Sequence, residues 1–229
     1  MKSKIEWTES SWNPSIGCDK ISAGCKNCYA EIMATRLQAM RSPAYQDAFK
    51  FKVMPDRIES PLKVKKPFEF LDRVFETIRQ TPRHTYQILT KRENILEKYF
   101  RIRTVPENVW LGVTVEMKNK KNRIDVLRNI DAKIRFLSIE PLLENLGILD
   151  LSNIHWVIVG GESGHKARRM KPEWAIDIQK QCSEQKVSFF FKQWGTWGAD
   201  GVKRNKKANG RILLEREWNG NPQARLAHA

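Results

Sequence analysis

The sequence predicts an α/β fold built on mostly parallel strands. Three observations carry that expectation. Short apolar runs alternate with helix-periodic stretches through the second half of the chain, the signature of βα units around a parallel sheet. Each apolar run passes at once into polar residues. The 229 residues are 41% hydrophobic and include eight Trp and ten Phe, too much apolar surface to leave in water.

The elements follow in order. Residues 29–37, directly after Cys28, combine good helix formers with apolar residues at helical spacing and predict a helix. Residues 41–67 carry Pro43, Pro55, Pro61 and Pro67 among basic residues and read as a long irregular connection. Residues 68–80 set Phe68, Leu71, Val74, Phe75 and Ile78 on one side of a helix. Five strands are then expected at 85–89, 109–113, 134–137, 155–159 and 187–191, with helices at about 92–99, 120–128 and 172–184. The whole is expected to be one domain over 1–229. It has an N-terminal three-cysteine loop at 18–28 and an irregular, basic C-terminal extension from about 198 to 229.

The strand ends bring polar residues to one place. In order they supply Lys91, Glu116, Glu140, Glu162, and Lys192 with Gln193. Carboxyl ends of parallel strands converge on one mouth, where ligands bind. Three carboxylates and two ammonium groups are therefore expected to share a site. Gly160-Gly161 before Glu162 adds backbone that a ligand can approach closely.

The cysteines point to a metal. Cys18, Cys25 and Cys28 fall within eleven residues as C-x6-C-x2-C, while Cys182 lies far off in an amphipathic helix and reads as a small buried hydrophobe. No His stands near the trio, since His84, His155, His165 and His228 are all remote in sequence. Three thiolates with one position open suit zinc with a further ligand, or a [4Fe–4S] cluster with one iron left open.

The net charge of +15, with a pI near 9.8, points to a polyanionic partner. Basic clusters occur at 50–66, 118–123, 166–171 and 203–211. Trp194, Trp197 and Trp218 lie near some of them, a pattern that suits phosphate tracking with base stacking. No apolar run approaches the ~18 residues of a membrane span. The N-terminus has no apolar signal region, so a cytoplasmic location and no membrane partner are expected.

Several motifs together resemble a known family. They are Trp12-Asn13-Pro14, Gly17-Cys18 and Gly24-Cys25-Lys26-Asn27-Cys28-Tyr29-Ala30, then Gln87-Ile88-Leu89-Thr90-Lys91-Arg92, Ser138-Ile139-Glu140-Pro141, Gly160-Gly161-Glu162-Ser163-Gly164 and Phe190-Phe191-Lys192-Gln193-Trp194-Gly195. As a set they resemble the phage Gp37/Gp68-like, three-cysteine-motif family, which in turn looks like radical S-adenosylmethionine (SAM) enzymes. The resemblance implies a partial (β/α) barrel and a [4Fe–4S] cluster on Cys18, Cys25 and Cys28. It also implies SAM as cofactor and an external electron donor. Tyr29, Gly160, Gly161, Glu162, Lys192 and Gln193 would then bind the cofactor, and Lys91, Glu116 and Glu140 would act on the substrate. Two departures stand out. The first cysteine gap is six rather than three, and a strand expected before the helix near Phe68 is missing, because residues 62–67 run straight into it.

Three readings follow: an iron–sulfur enzyme that cleaves SAM to modify a nucleotide or nucleic acid; a non-catalytic basic nucleic-acid-binding protein with a structural zinc or cluster; and a phage-derived protein that folds without turnover.

Overall fold

The computed structural model describes residues 10–54 and 68–223. The chain forms two compact units, Met1–Thr81 and Pro82–Ala229.

In the first unit, β1 (Ser15–Ile16) pairs antiparallel with β2 (Lys52–Val53). β2 lies in the stretch read as an irregular connection and β1 in one assigned no element, and two-residue strands leave no periodicity to find. The Cys18 amide extends the pairing to the Phe49 carbonyl at 3.0 Å. Gly17 makes that approach possible: its φ is +72°, and a Cβ there would sit 2.1 Å from the Lys50 carbonyl oxygen. Helix α1 (Tyr29–Ala39) starts where expected, with Cys28 at its N-cap. Helix α2 (Glu69–Arg79) buries Val74, Phe75 and Ile78, three of the five residues assigned to its apolar side. The segment read as lacking a strand, residues 62–67, lies outside the described residues.

The second unit holds a five-stranded parallel sheet in the order β3 (Tyr86–Thr90), β4 (Val109–Thr114), β5 (Ile134–Ile139), β6 (Trp156–Gly160), β7 (Ser188–Gln193). All five strands are where the apolar runs place them. Among the described residues the sheet does not close into a barrel. Helices α3 (Glu93–Phe100) and α4 (Asn122–Arg128) pack on each other, α4 rests on β4 and β5, and α5 (Pro172–Glu184) on β6 and β7. Register divides the side chains between two faces. Leu111, Val113, Leu137, Ile139, Val157, Val159, Phe189 and Phe191 share one. Trp110, Phe136, Trp156 and Phe190 share the other and cluster there, with ring centroids 5.8–6.1 Å apart around Trp156. Gly112 makes room for the Phe136 ring, which a Cβ would meet at 2.4 Å.

The connection from β5 to β6 carries no helix. Leu142, Leu146, Leu149, Leu151 and Ile154 bury it, and α5 satisfies its backbone. Gln181 and Gln185 accept from the Leu149 and Leu151 amides at 2.7 and 2.8 Å and donate back to the Gly147 and Leu149 carbonyls. Cys182 is fully buried in the same helix, as read. Beyond β7 the chain is less irregular than expected. It forms the short helix α6 (Lys206–Asn209), then runs back along β7, where Phe191 donates to Trp218 and Gly220 to Phe189 at 3.0 and 2.9 Å.

Candidate functional site

The cysteine loop belongs to the first unit. Cys18 is exposed and directs its thiol to the Asp19 carbonyl at 3.3 Å. Cys25 closes a 3-10 turn, Ala23–Cys25, with its sulfur 3.5 Å from the Ser22 hydroxyl. Cys28 is half-exposed at the start of α1, and Tyr29 beside it is 72% exposed. Lys20 binds Glu31 at 2.7 Å. That hydrogen bond raises the Lys20 pKa above the ordinary lysine value, and the nearby Cys28 and Cys25 raise it further. Two of the three cysteines thus share the field of one ammonium. The donors fit a thiophilic metal in kind: three accessible thiols on one loop, none in a disulfide. Among the described residues, however, no three Cys, His, Asp or Glu side chains are gathered closely enough to hold an ion.

The carboxyl edge of the sheet belongs to the second unit, and its polar residues are mostly matched to one another. Glu140, after β5, accepts from the Lys192 ammonium at 2.8 and 3.0 Å and from the Gln193 amide at 3.4 Å. Lys192 stands on β7, so this pair spans the end of β6. Gly160 is what it crosses: a Cβ there would come within 3.3 Å of the Glu140 carboxyl carbon. Gly161 is needed for a closer contact still, since a Cβ would lie 1.9 Å from the Trp194 carbonyl oxygen. Both glycines therefore have a packing reason inside the chain, in addition to the ligand approach expected of them.

Two cations that the sequence reading counted as surface charge complete the edge. Arg123 is 1% exposed and lies between Glu93 at 3.0 Å and the fully buried Glu116 at 2.9 Å, and it also donates to the Thr114 carbonyl at 2.7 Å. Arg168 donates to Glu162 through its backbone amide, Nε and Nη2, at 2.7, 2.9 and 2.6 Å. The Glu162 hydrogen bond raises the Arg168 pKa, with Glu116 contributing from farther away. Carboxylates and guanidinium groups therefore alternate from Glu93 through Arg123, Glu116 and Arg168 to Glu162. Of the predicted set, the structure brings Glu140, Lys192 and Gln193 together, while Glu116 is paired with Arg123 and Glu162 with Arg168. Lys91 follows β3 with no ion-pair partner among the described residues.

One family matches this chain over nearly all of its length. Its description is "Protein of unknown function (DUF5131)", and it matches residues 2–222. The chain belongs to the DUF5131 family. No curated protein and no solved structure matches it.

The tryptophans expected to stack bases are occupied within this DUF5131 chain. Trp194 is 3% exposed and donates to Ile212 at 2.8 Å, Trp197 donates to Ala167 at 2.7 Å, and Trp218 donates to Leu213 beneath the Arg216 guanidinium. A cleft of about 300 Å³ lined by Glu107, Trp110, Lys133 and Ile134 opens at the amino ends of β4 and β5, away from the predicted mouth. Among the described residues no helix is long and apolar enough to cross a membrane.

Proposed function

We propose that this chain is an iron–sulfur protein of the radical-SAM kind, acting on a nucleotide or nucleic acid. The observation that carries the reading is the trio Cys18, Cys25 and Cys28: accessible thiols on one eleven-residue loop that leads into a helix. These three residues would hold the cluster. When bound, such a cluster would supply the electron for reductive cleavage of SAM.

The fold supports the reading at the level of architecture. Neighbouring parallel strands in chain order, joined by the right-handed crossovers such connections almost always adopt, put their helices on one face, as in a sector of a (β/α) barrel. In this reading the chain's own residues do three things. The Lys192–Glu140 pair, with each side chain 20% exposed or less, fixes the rim at β5–β7. The Glu93–Arg123–Glu116 pairs lock the end of β4. Lys91 offers an ammonium to a substrate carboxylate or phosphate.

The second reading, a basic nucleic-acid-binding protein with a structural metal, is favoured by one observation. Glu116, Glu140 and Glu162 are each committed to a cation of this chain, which leaves none of them poised as a general base.

Anaerobic reconstitution with iron and sulfide separates the readings. The expected result is a cluster absorption spectrum near four irons per chain, lost in Cys18→Ala, Cys25→Ala and Cys28→Ala, with reductive cleavage of SAM to 5′-deoxyadenosine. One tightly held zinc and no SAM cleavage selects the second reading.

A further inference from the structure

We infer that the loops following β6 and β7 form one preorganised surface for the phosphate backbone of a nucleic acid, read without contacts to the bases. Residues 163–171 and 196–210 carry eight Lys or Arg and a single acid, Asp200. Chain connectivity alone does not unite them, but the structure does. Thr196 Oγ1 accepts from the Gly164 amide at 2.9 Å and donates to the Gly164 carbonyl at 3.2 Å. Trp197 donates to the Ala167 carbonyl at 2.7 Å, and Lys203 to the His165 carbonyl at 2.8 Å. Arg169 lies against Gly201, where a Cβ would meet its guanidinium at 2.4 Å. Gly201 has φ +74°, so its missing side chain serves both the turn and the arginine.

Internal pairing divides the cations of this surface. Arg168 is bound to Glu162 and Arg204 to Asp200. Arg169, Lys171, Lys203 and Lys207 are exposed and have no carboxylate partner among the described residues. Cations held on a braced surface lose little freedom when a polyanion docks, which favours binding. The aromatic residues near these cations are held by the chain's own groups: Trp194 is 3% exposed, and Trp197 lies under Lys203 at 5.8 Å and spends its N–H internally. Recognition that is rich in charge and poor in stacking and base-edge groups is backbone recognition, independent of sequence.

This inference rests on the nucleic-acid partner of the proposed function, not on its metal. It is tested by fluorescence anisotropy of the full chain with labelled 20-base-pair DNA duplexes between 50 and 200 mM salt. Four phosphate contacts predict a log–log salt slope near −3.6, a loss of about 150-fold over that range. The exposed triple variant Lys171→Gln/Lys203→Gln/Lys207→Gln should flatten the slope by about 2.7. The control Lys98→Gln/Lys180→Gln/Lys186→Gln, three exposed lysines outside the basic clusters with the same charge change, should leave it unaltered, and intrinsic fluorescence checks that both variants fold. Duplexes of different sequence should bind within about threefold of one another. The inference is overturned if the chain does not bind DNA at 50 mM salt, if both variants behave alike, if one sequence is preferred more than about tenfold, or if only phosphatidylglycerol vesicles bind. Cys25→Ala keeps the failures apart: it removes iron and should leave the salt slope as it was.

Discussion

Replacing Arg123 by Met tests whether the buried charges at the end of β4 hold the sheet unit together. Arg123 and Glu116 are 2% and 0% exposed at their side chains and 2.9 Å apart. Removing the guanidinium strands a carboxylate where water does not reach, and breaking a buried pair this way costs about 3–5 kcal/mol. The structure adjusts that figure in two directions. Arg168 also acts on Glu116 and offsets part of the loss. The Thr114 carbonyl and Glu93 lose a donor each, but Glu93 is 14% exposed and regains some water. A loss of about 3 kcal/mol is therefore expected, a large share of the ~5–15 kcal/mol that stabilises most domains. The double variant Arg123→Met/Glu116→Leu removes the stranded charge and should recover most of it, because apolar replacement of a buried pair is often near neutral. Urea unfolding followed by tryptophan fluorescence reads this directly, since six of the eight Trp lie beyond residue 82, in the unit that holds the sheet. A cost under about 1 kcal/mol for the single variant, or a double variant no better than the single, refutes the assignment.

Other outcomes follow from the same geometry. Gly161→Ala drives a Cβ into the Trp194 backbone and should cost at least the ~1–3 kcal/mol typical of overpacking. Gly160→Ala meets only the movable Glu140 side chain and should cost less, and equal costs in urea unfolding would sink the packing account of the two glycines. His155 accepts from the Arg135 amide at 3.0 Å, and burial, followed by the Arg135 charge, depresses its pKa below the ordinary 6.5. The unfolded chain then binds the proton more readily. Stability from this group is complete above about pH 6.5 and falls as the pH drops through the lowered native pKa. Melting temperatures across pH 5–7.5 should fall toward the acid side, and His155→Gln should flatten that slope. Lys192→Met should leave Glu140 with the weaker Gln193 contact and lower stability more than the exposed control Lys98→Met, read by urea midpoint.

How much of this was legible in the sequence depends on what kind of signal each feature leaves. Strands β3 to β7 and helix α5 were readable because burial imposes an apolar run or a 3.6-residue period. β6, Trp156–Gly160, is buried at every position and reads as an unbroken apolar stretch. The strand-end polar residues were visible for the same reason, as the first interruptions of those runs. Their partners were not. Arg123 and Arg168 sit inside strings of basic residues, and nothing in composition separates a guanidinium buried between two carboxylates from one in water. Gly160 and Gly161 stand out in the sequence, but a glycine required by the chain's own carbonyl looks identical there to one that makes room for a ligand. The β1–β2 pairing joins residues 36 and 38 apart through two-residue strands, too short for any pattern.

The return of the chain along β7 has a consequence of its own. Phe189-Phe190-Phe191 is an aromatic stretch of high strand propensity at the margin of the sheet, the kind of template onto which a second molecule adds. Residues 218–220 occupy its outward donors and acceptors, with Asn219 bridging Phe190 antiparallel. The tail thus acts as a guard against self-association, and a chain shortened before residue 210 would bare that margin and aggregate while its sheet was still intact.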